Sequence, residues 1–473
     1  MHSTYNNLLA FIIFCSMVSL GWFIPTPEGL SLQAWHCLII FITTIIGIIA
    51  NPLPISVIAL IGSMCMVVTQ TLTIADILSE FGSQIVWIVV FAFFIAKAFI
   101  KTGLGRRIAY IFISKIGHSV LGLSYGLLFT ECLLAPLIPS IAARSGGIIY
   151  PIAESVIAEY AKNAKATDQE LQSTGAYLMN VCHHASTISS AMFLTAMAGN
   201  PLVLKLASTL GISINWSNWA LGALLPGVVC LLCLPLVLYF ISKPGIRFSP
   251  DGPALACLEL KKMGKMHSSE CVMMLVFIAL ILSWMCEPLT GIDPTTTAIL
   301  GILILIITGV LKWDDAISDK QAWDTMIWFS LLLALSSHLG HLGVMSWISN
   351  GITNLIEPSL TPYMIAAVLF IIYFYIHYFF ASLTSHITVF YPIFLKLLLH
   401  YALPALPSAL LLGYLSNLYG GLTHYGTSAA PIFFGAGYQT IQQWWRVGVI
   451  ISTINLILWL SISSFWLPLV GLA

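Results

Sequence analysis

The sequence predicts an all-α polytopic membrane protein with eleven transmembrane helices and two re-entrant hairpins in inverted-topology repeats. Three observations predict it. Hydrophobic residues make up 59% of the 473 and charged residues 8%, against roughly 25% charged in soluble domains. Mean hydropathy is +0.96, and no soluble interior hides that much apolar surface. The basic residues crowd into alternate loops, and a set of landmarks recurs in order along the chain.

The apolar runs Leu8–Ile24, Gln33–Ala50, Pro54–Thr69 and Gln84–Ile100 are read as the first four spans. Leu8–Ile24 has no basic n-region and no small-residue cleavage site, so no cleavable signal peptide is expected, and no Arg/Ser-rich transit sequence either. Gly175–Ser208 is long and interrupted by Gly199-Asn200-Pro201, and Asn218–Ser242 follows. Beyond the polar loop Lys243–Ser269 come Glu270–Cys286, Thr295–Leu311 and Asp324–Gly340. Ser408–Gly437 is again broken, by Gly420-Gly421, Gly426 and Pro431, and Trp444–Leu467 closes the set.

Two further apolar segments do not fit as single crossings. Val120–Tyr160 is interrupted by Pro136, Pro139, Arg144 and Gly146-Gly147. Its second arm, Gly147–Ala158, would be roughly 18 Å of helix, too short for a hydrocarbon core about 30 Å thick. Pro362–Leu403 behaves alike around Ser382–Ser385. Non-helical backbone at depth survives only where it is buried or lines a cavity, so two hairpins point to a transport site.

Lys plus Arg is 18 and Asp plus Glu is 18, and this zero balance argues against a nucleic-acid partner. With the N-terminus in the cytoplasm, fourteen basic residues fall in inside loops and only Lys205 in an outside loop, while Lys97, Arg144 and Lys396 lie within spans or hairpins. The expected organisation is therefore an N-terminal transmembrane helix (1–28) and a first repeat (29–242) whose hairpin, residues 120–160, faces the cytoplasm. A cytoplasmic loop (243–269) and a second repeat (270–473), whose hairpin at 362–403 faces outside, complete it. The expected location is a bacterial cytoplasmic membrane.

The repeat rests on four ordered pairs. Trp87 and Trp328 begin apolar spans, Gly103 and Gly343 sit in the following turns, Ser140 and Ser382 mark the hairpin tips, and Tyr150-Pro151 and Tyr391-Pro392 follow them. These pairs lie 241, 240, 242 and 241 residues apart. An odd number of spans per copy inverts the second copy, the architecture of secondary transporters with a site between the copies. Helix N-termini at the tips and at the broken spans offer partial positive charge and free N–H donors, which suits an anion.

The phrases Ala142-Ala-Arg144-Ser-Gly-Gly-Ile-Ile-Tyr-Pro151, His184-Ala-Ser186-Thr-Ile-Ser-Ser, Tyr378-Phe-Phe-Ala-Ser382-Leu-Thr384-Ser-His386 and Thr423-His-Tyr-Gly-Thr427-Ser-Ala-Ala-Pro431, with Thr102-Gly-Leu-Gly-Arg-Arg-Ile-Ala-Tyr110, resemble the divalent-anion:sodium symporter family. They look most like its 2-oxoglutarate/malate translocator (citrate/succinate exchanger) branch. The resemblance implies secondary active transport of C4–C5 dicarboxylates by alternating access, in a homodimer within the lipid bilayer and without a cofactor. It implies substrate contacts at Ser140, Ile141, Ala142, Asn200, Ser382, Leu383, Thr384 and Thr427. For sodium, if any, it implies Ser140, Ser186, Thr187, Ser189, Ser382, Thr423 and Ser428.

The sequence departs from the family at both tips, where the family has Ser-Asn-Thr. Here they read Ser140-Ile141-Ala142 and Ser382-Leu383-Thr384. Each Asn would offer two donors and an acceptor, whereas Ile and Leu offer none. Sodium-free exchange of one dicarboxylate for another therefore stands beside sodium symport, and a proton-coupled permease for another anion is the nearest alternative. Arg144 either touches substrate or, as preferred here, bonds Glu131 or the tip carbonyls. Lys97 can snorkel, and Lys396 can snorkel or pair within its hairpin. The histidines 183, 184, 386 and 424 are read as polar packing with proton coupling as the alternative, not as a metal set. The Ser and Thr residues at the broken spans either bond helix backbone or line the site. No P-loop, Rossmann fingerprint, H-E-x-x-H or catalytic constellation occurs, so neither an enzyme nor an ATP-driven pump is expected.

Overall fold

The computed structural model describes residues 2–50, 52–163, 167–248, 251–354 and 361–473. Among them the chain is helical, and its one extended pairing is an isolated bridge between Ser119 and Phe248. In order, the helices are α1 (His2–Trp22), α2 (Leu32–Ala50), α3 (Ile55–Val68), α4 (Ile74–Ser79), α5 (Gln84–Thr102), α6 (Leu104–Ile116), α7 (Val120–Leu134), α8 (Ile141–Arg144), α9 (Tyr150–Asn163), α10 (Asp168–Met192), α11 (Gly199–Ser208) and α12 (Trp216–Ser242). The second half holds α13 (Asp251–Met263), α14 (Ser268–Met285), α15 (Glu287–Thr290), α16 (Pro294–Ile307), α17 (Trp313–Ile317), α18 (Lys320–His341), α19 (Val344–Thr353), α20 (Pro362–Tyr375), α21 (Leu383–His400), α22 (Ala405–Leu418), α23 (Ala430–Phe434) and α24 (Ile441–Leu469).

Local chemistry sets many of these boundaries. Thr73, Thr167, Asn215 and Thr440 open α4, α10, α12 and α24 with reciprocal capping boxes, which satisfy backbone N–H groups the first turn leaves unpaired. The glycine turns expected at 103 and 343 have the same geometry. Gly103 (φ 76°) starts α6 and Gly343 (φ 79°) starts α19, in a left-handed backbone that only glycine adopts at little cost.

Seven described helices are long and apolar enough to cross a membrane, or eight if α18 and α19, bent by 64°, count as one span. The chain is thus a polytopic membrane protein, but the count of eleven is not reached by length and composition. The runs expected at Pro54–Thr69 and Thr295–Leu311 form helices of 14 residues, roughly 21 Å long. α10 is long, but its middle turns are polar and face inward rather than toward lipid. Two of the seven, Pro362–Phe379 and Leu383–His400, are the arms of the second expected hairpin.

The first hairpin also differs from expectation. Gly146-Gly147 does not interrupt its second arm. Residues 141–163 form one continuous helical path with a π-helical segment at Ser145–Ile149. Its 23 residues make the arm roughly 35 Å long rather than 18 Å. A π-bulge takes up an extra residue without ending the helix, and two small residues leave room for the wider turn.

The helices group into two compact units, each drawing segments from both halves of the chain. One comprises Met1–Val90, Pro201–Ile214 and Lys320–Leu412. There α2 packs on α1 and α3, α18 on α3 and α4, and α21 on α19 and α20. A Cβ on Gly62 would lie 2.1 Å from Thr44 Oγ1, so α2 and α3 approach as closely as small residues allow. Ser56 on α3 donates to Asp324 Oδ1 on α18 at 2.5 Å. The other unit comprises Phe91–Asn200, Asn215–Asp319 and Gly413–Ala473. Its axis is α10, packed on α7, α9 and α12, with α24 behind α12. Arg107 on α6 and Glu270 on α14 form a buried two-point ion pair, Nε–Oε1 2.6 Å and Nη2–Oε2 3.0 Å, and Arg107 Nη1 donates to the Gly264 carbonyl at 2.9 Å.

Candidate functional site

The first tip, in the unit built on α10, follows from its sequence. Pro136 and Pro139 end α7 because proline cannot continue a helix. Ser140 then adopts an extended conformation, and its hydroxyl accepts from Ala143 N–H at 3.2 Å. That is an N-cap, so the tip presents the start of a helix. Ile141 is buried and Ala142 half-buried.

Arg144 braces this tip. It and Glu131 are fully buried, with Nε–Oε1 at 2.8 Å. Arg144 Nη1 donates to the Ile138 carbonyl and, at 2.6 Å, to the Ala196 carbonyl. Nη2 donates to Ser190 Oγ at 2.7 Å. One guanidinium thereby joins α7, the tip, the end of α10 and the 3₁₀ turn Leu194–Ala196. It is a bond to Glu131 and a tip carbonyl, as preferred from the sequence. Leaving either charge buried without the other would cost several kcal/mol.

The break between α10 and α11 is closed by Asn200. Its Nδ2 donates to the carbonyls of Ser190 (2.9 Å) and Phe193 (3.0 Å), which the break leaves without helical partners. Its Oδ1 accepts from Asn417 Nδ2 on α22 at 2.8 Å. The amide of Asn200 is thus engaged within the protein. Ser186 and Thr187 donate to the carbonyls of His183 (2.7 Å) and His184 (2.9 Å). Ser189 is shared between the Ser186 carbonyl and Glu131 Oε1, both at 3.3 Å. At the second break, Thr427 Oγ1 caps α23 by accepting from Ala429 and Ala430 N–H at 3.2 and 3.0 Å. Thr423 is buried, and its hydroxyl has no hydrogen-bond partner among the described residues. Ser428 is exposed. Arg144 and Asn200 therefore connect the first tip with Ser189, Ser190 and the break, whereas Thr423 and Ser428 lie beyond that network.

The second tip lies in the other unit. Ser382 is extended, and its hydroxyl accepts from Ser385 N–H at 3.3 Å and contacts Thr384 Oγ1 at 3.0 Å. Leu383 is buried and Thr384 half-buried. Behind the tip, His386 is fully buried against Tyr373, Phe380 and Phe390, with ring centroids 4.8, 5.4 and 5.3 Å away. Its Nδ1 lies 3.2 Å from Nδ1 of His377. Lys396 does not pair within its hairpin. It bonds Ser346 Oγ on α19, because α19 packs directly on α21.

The sequence matches, over residues 2–472, the family described as the transmembrane region of sodium:sulfate symporters. The chain belongs to this family. Relatives include dicarboxylate transporter 1 of chloroplasts from Spinacia oleracea, 45% identical over 95% of this chain and 79% of its own length. The putative malate transporter YflS of Bacillus subtilis is 43% identical over 98% and 97%. Among solved structures, MtrF of Neisseria gonorrhoeae, from a class of antimetabolite efflux pumps, superposes with a TM-score of 0.55 at 15% identity, covering 98% of this chain and 94% of its own. At that identity the likeness speaks to fold alone.

Membership makes this chain a membrane transport protein rather than an enzyme. Sequence reasoning missed four residues of its buried networks: Ser190, Asn417, Tyr373 and His377. The recurrence interval could have found one pair. Tyr373 stands 242 residues after Glu131, as His386 stands 242 after Arg144 and Ser382 after Ser140. Nothing in the sequence marks Asn417.

Proposed function

We propose that this protein carries C4–C5 dicarboxylates such as malate, succinate or 2-oxoglutarate across a bacterial cytoplasmic membrane as a secondary transporter. The observation that carries the reading is identity of 43–45% over nearly the whole chain with chloroplast dicarboxylate transporter 1 and with YflS, named a putative malate transporter. The serine-capped tips support it, since each offers first-turn N–H donors to a carboxylate. The proposal includes eleven spans with the N-terminus in the cytoplasm, two re-entrant hairpins in inverted repeats, a homodimer, and alternating access. It keeps the tip residues, Asn200 and Thr427 as the substrate-proximal set.

We further infer sodium-independent exchange rather than sodium symport. Both tip Asn are replaced by buried apolar residues, Ile141 and Leu383. A dianion entering a cell negative inside opposes about 2.3 kcal/mol per charge per 100 mV, but one-for-one exchange of equal charges is indifferent to voltage. Proteoliposomes loaded with unlabelled malate test both statements. Saturable uptake of labelled 2-oxoglutarate, stimulated by internal malate and unchanged in sodium-free buffer, is expected. No saturable flux with any dicarboxylate overturns the substrate class, and flux abolished by sodium removal overturns the exchange mechanism.

A further inference from the structure

In the unit built on α10, three helix ends converge on a polar cavity of about 640 Å³. They are the N-termini of α10 and α24 and the C-terminus of α12. Gln169, Gln172, Lys243, Gln439, Gln443 and Arg446 contribute its polar lining, and no carboxylate lines it among the described residues. Neither Lys243 nor Arg446 has a salt-bridge partner among the described residues, and both are exposed. Asp168 and Glu170 stand in the first turn of α10, outside the lining. Glu170 takes the N–H and hydroxyl of Thr167, and Glu154 accepts from the Tyr438 hydroxyl at 3.2 Å. The lining itself thus carries two positive charges and no negative one, beside two helix N-termini that each add partial positive charge.

Lys243 is held in place rather than carried on a loose tail. It caps α12 with a left-handed backbone, φ 46° and ψ 69°, and its N–H donates to the Tyr239 carbonyl. Such a conformation in a non-glycine residue needs support from its surroundings. The residues after it supply that support, because Gly245 N–H donates to Ser173 Oγ at 3.0 Å and Ile246 N–H to Thr174 Oγ1 at 3.1 Å. A Cβ on Gly245 would stand 2.6 Å from Glu170 Cα.

The cavity also has an apolar approach. Leu232, Leu236 and Phe240 follow one another at four-residue spacing along α12, toward the cavity. They are 46%, 44% and 74% exposed. Residues four apart share a helix face, so the three form one lipid-accessible track ending beside Lys243. A polar, cationic pocket at the end of such a track has the shape of a phospholipid, with charge-assisted bonds at the headgroup and hydrocarbon contact below it.

We propose that this cavity seats the phosphate headgroup of an anionic phospholipid, with an acyl chain along Leu232, Leu236 and Phe240. The site is independent of what the protein transports. The test uses the full-length protein, delipidated in detergent and exposed to phosphatidylglycerol, phosphatidylcholine or inorganic phosphate, with bound species read by native mass spectrometry. Wild type retains phosphatidylglycerol over phosphatidylcholine, and the double variant K243A/R446A lowers that preference roughly tenfold or more, two surface charges being removed. K243R/R446K, which keeps both charges, retains the preference and controls for folding. Phe240→Ala weakens phosphatidylglycerol retention. Absence of the preference, or its persistence in K243A/R446A, overturns the proposal. Inorganic phosphate displacing the lipid completely, with Phe240→Ala having no effect, assigns the site to free phosphate and also overturns it.

Discussion

The two hairpins solve one mechanical problem with different chemistry. In each, a serine caps the helix that starts at the tip. Four residues on, a long polar side chain turns back to meet a residue on the preceding arm. In the first hairpin these partners are Arg144 and Glu131, a fully buried ion pair. In the second, at positions 242 residues later, they are His386 and Tyr373. The ion pair reaches well beyond its hairpin, to Ser190 and Ala196 at the break after α10. The histidine packs against the aromatic rings around it and His377.

The difference teaches what each tip is coupled to. A guanidinium has five donors in a fixed plane and can fasten several carbonyls at once. The first tip is thereby tied to the broken span. An imidazole facing another imidazole uses one N–H and one lone pair in that contact. The first hairpin depends on an exact charge balance, whereas the second depends on ring packing, which tolerates substitution better.

The largest expected effect separates these two cases. Arg144→Met leaves Glu131 buried and uncompensated and should cost about 3–5 kcal/mol, read as loss of folded protein or a lower melting temperature in detergent. Glu131→Leu combined with Arg144→Met should recover most of that stability while leaving transport impaired, because the ties to Ser190 and Ala196 are gone. A single Arg144→Met variant as stable as wild type breaks the comparison. Restoring Asn at each tip is the next test. Ile141→Asn and Leu383→Asn bury an amide where an apolar side chain stood, at a cost of about 1–3 kcal/mol, and should raise the sodium dependence of labelled malate uptake. Equal uptake with and without sodium in both variants would separate the tip composition from coupling. The smallest effect belongs to His386→Leu, which removes one neutral hydrogen bond from an aromatic surround. About 1 kcal/mol is expected, measured by thermal unfolding, and a loss as large as that of Arg144→Met would place the two braces on an equal footing.

The legible parts of this protein are those where a residue's neighbours along the chain decide its role. The serines at 140 and 382 read as tips because prolines or a short polar run interrupt apolar helix beside them. Gly103 and Gly343 read as turns because glycine adopts their left-handed backbone at least cost. Arg144 read as a partner of Glu131 or the tip carbonyls because a charge so deep needs a counter-charge or close acceptors. The π-helical path through Gly146-Gly147 was not legible, since two glycines signal a break as readily as a widened turn. The seven or eight clear spans fall short of the eleven apolar runs because α3 and α16 are short and α10 turns its polar face inward.

Composition and order by themselves determined that this chain lives in a membrane, that landmarks recur about 241 residues apart, and that Ile141 and Leu383 stand beside the two serines. Those properties are set by transfer of side chains into lipid and by local backbone preference, both of which act residue by residue. Only the tertiary structure decided that Asn200 spends its amide on Ser190, Phe193 and Asn417, that Lys396 bonds Ser346, and that Lys243 and Arg446 share one cavity. Each of these joins residues far apart in the chain. A buried polar group takes whichever partner packing brings within about 3 Å, and no local preference states which that will be.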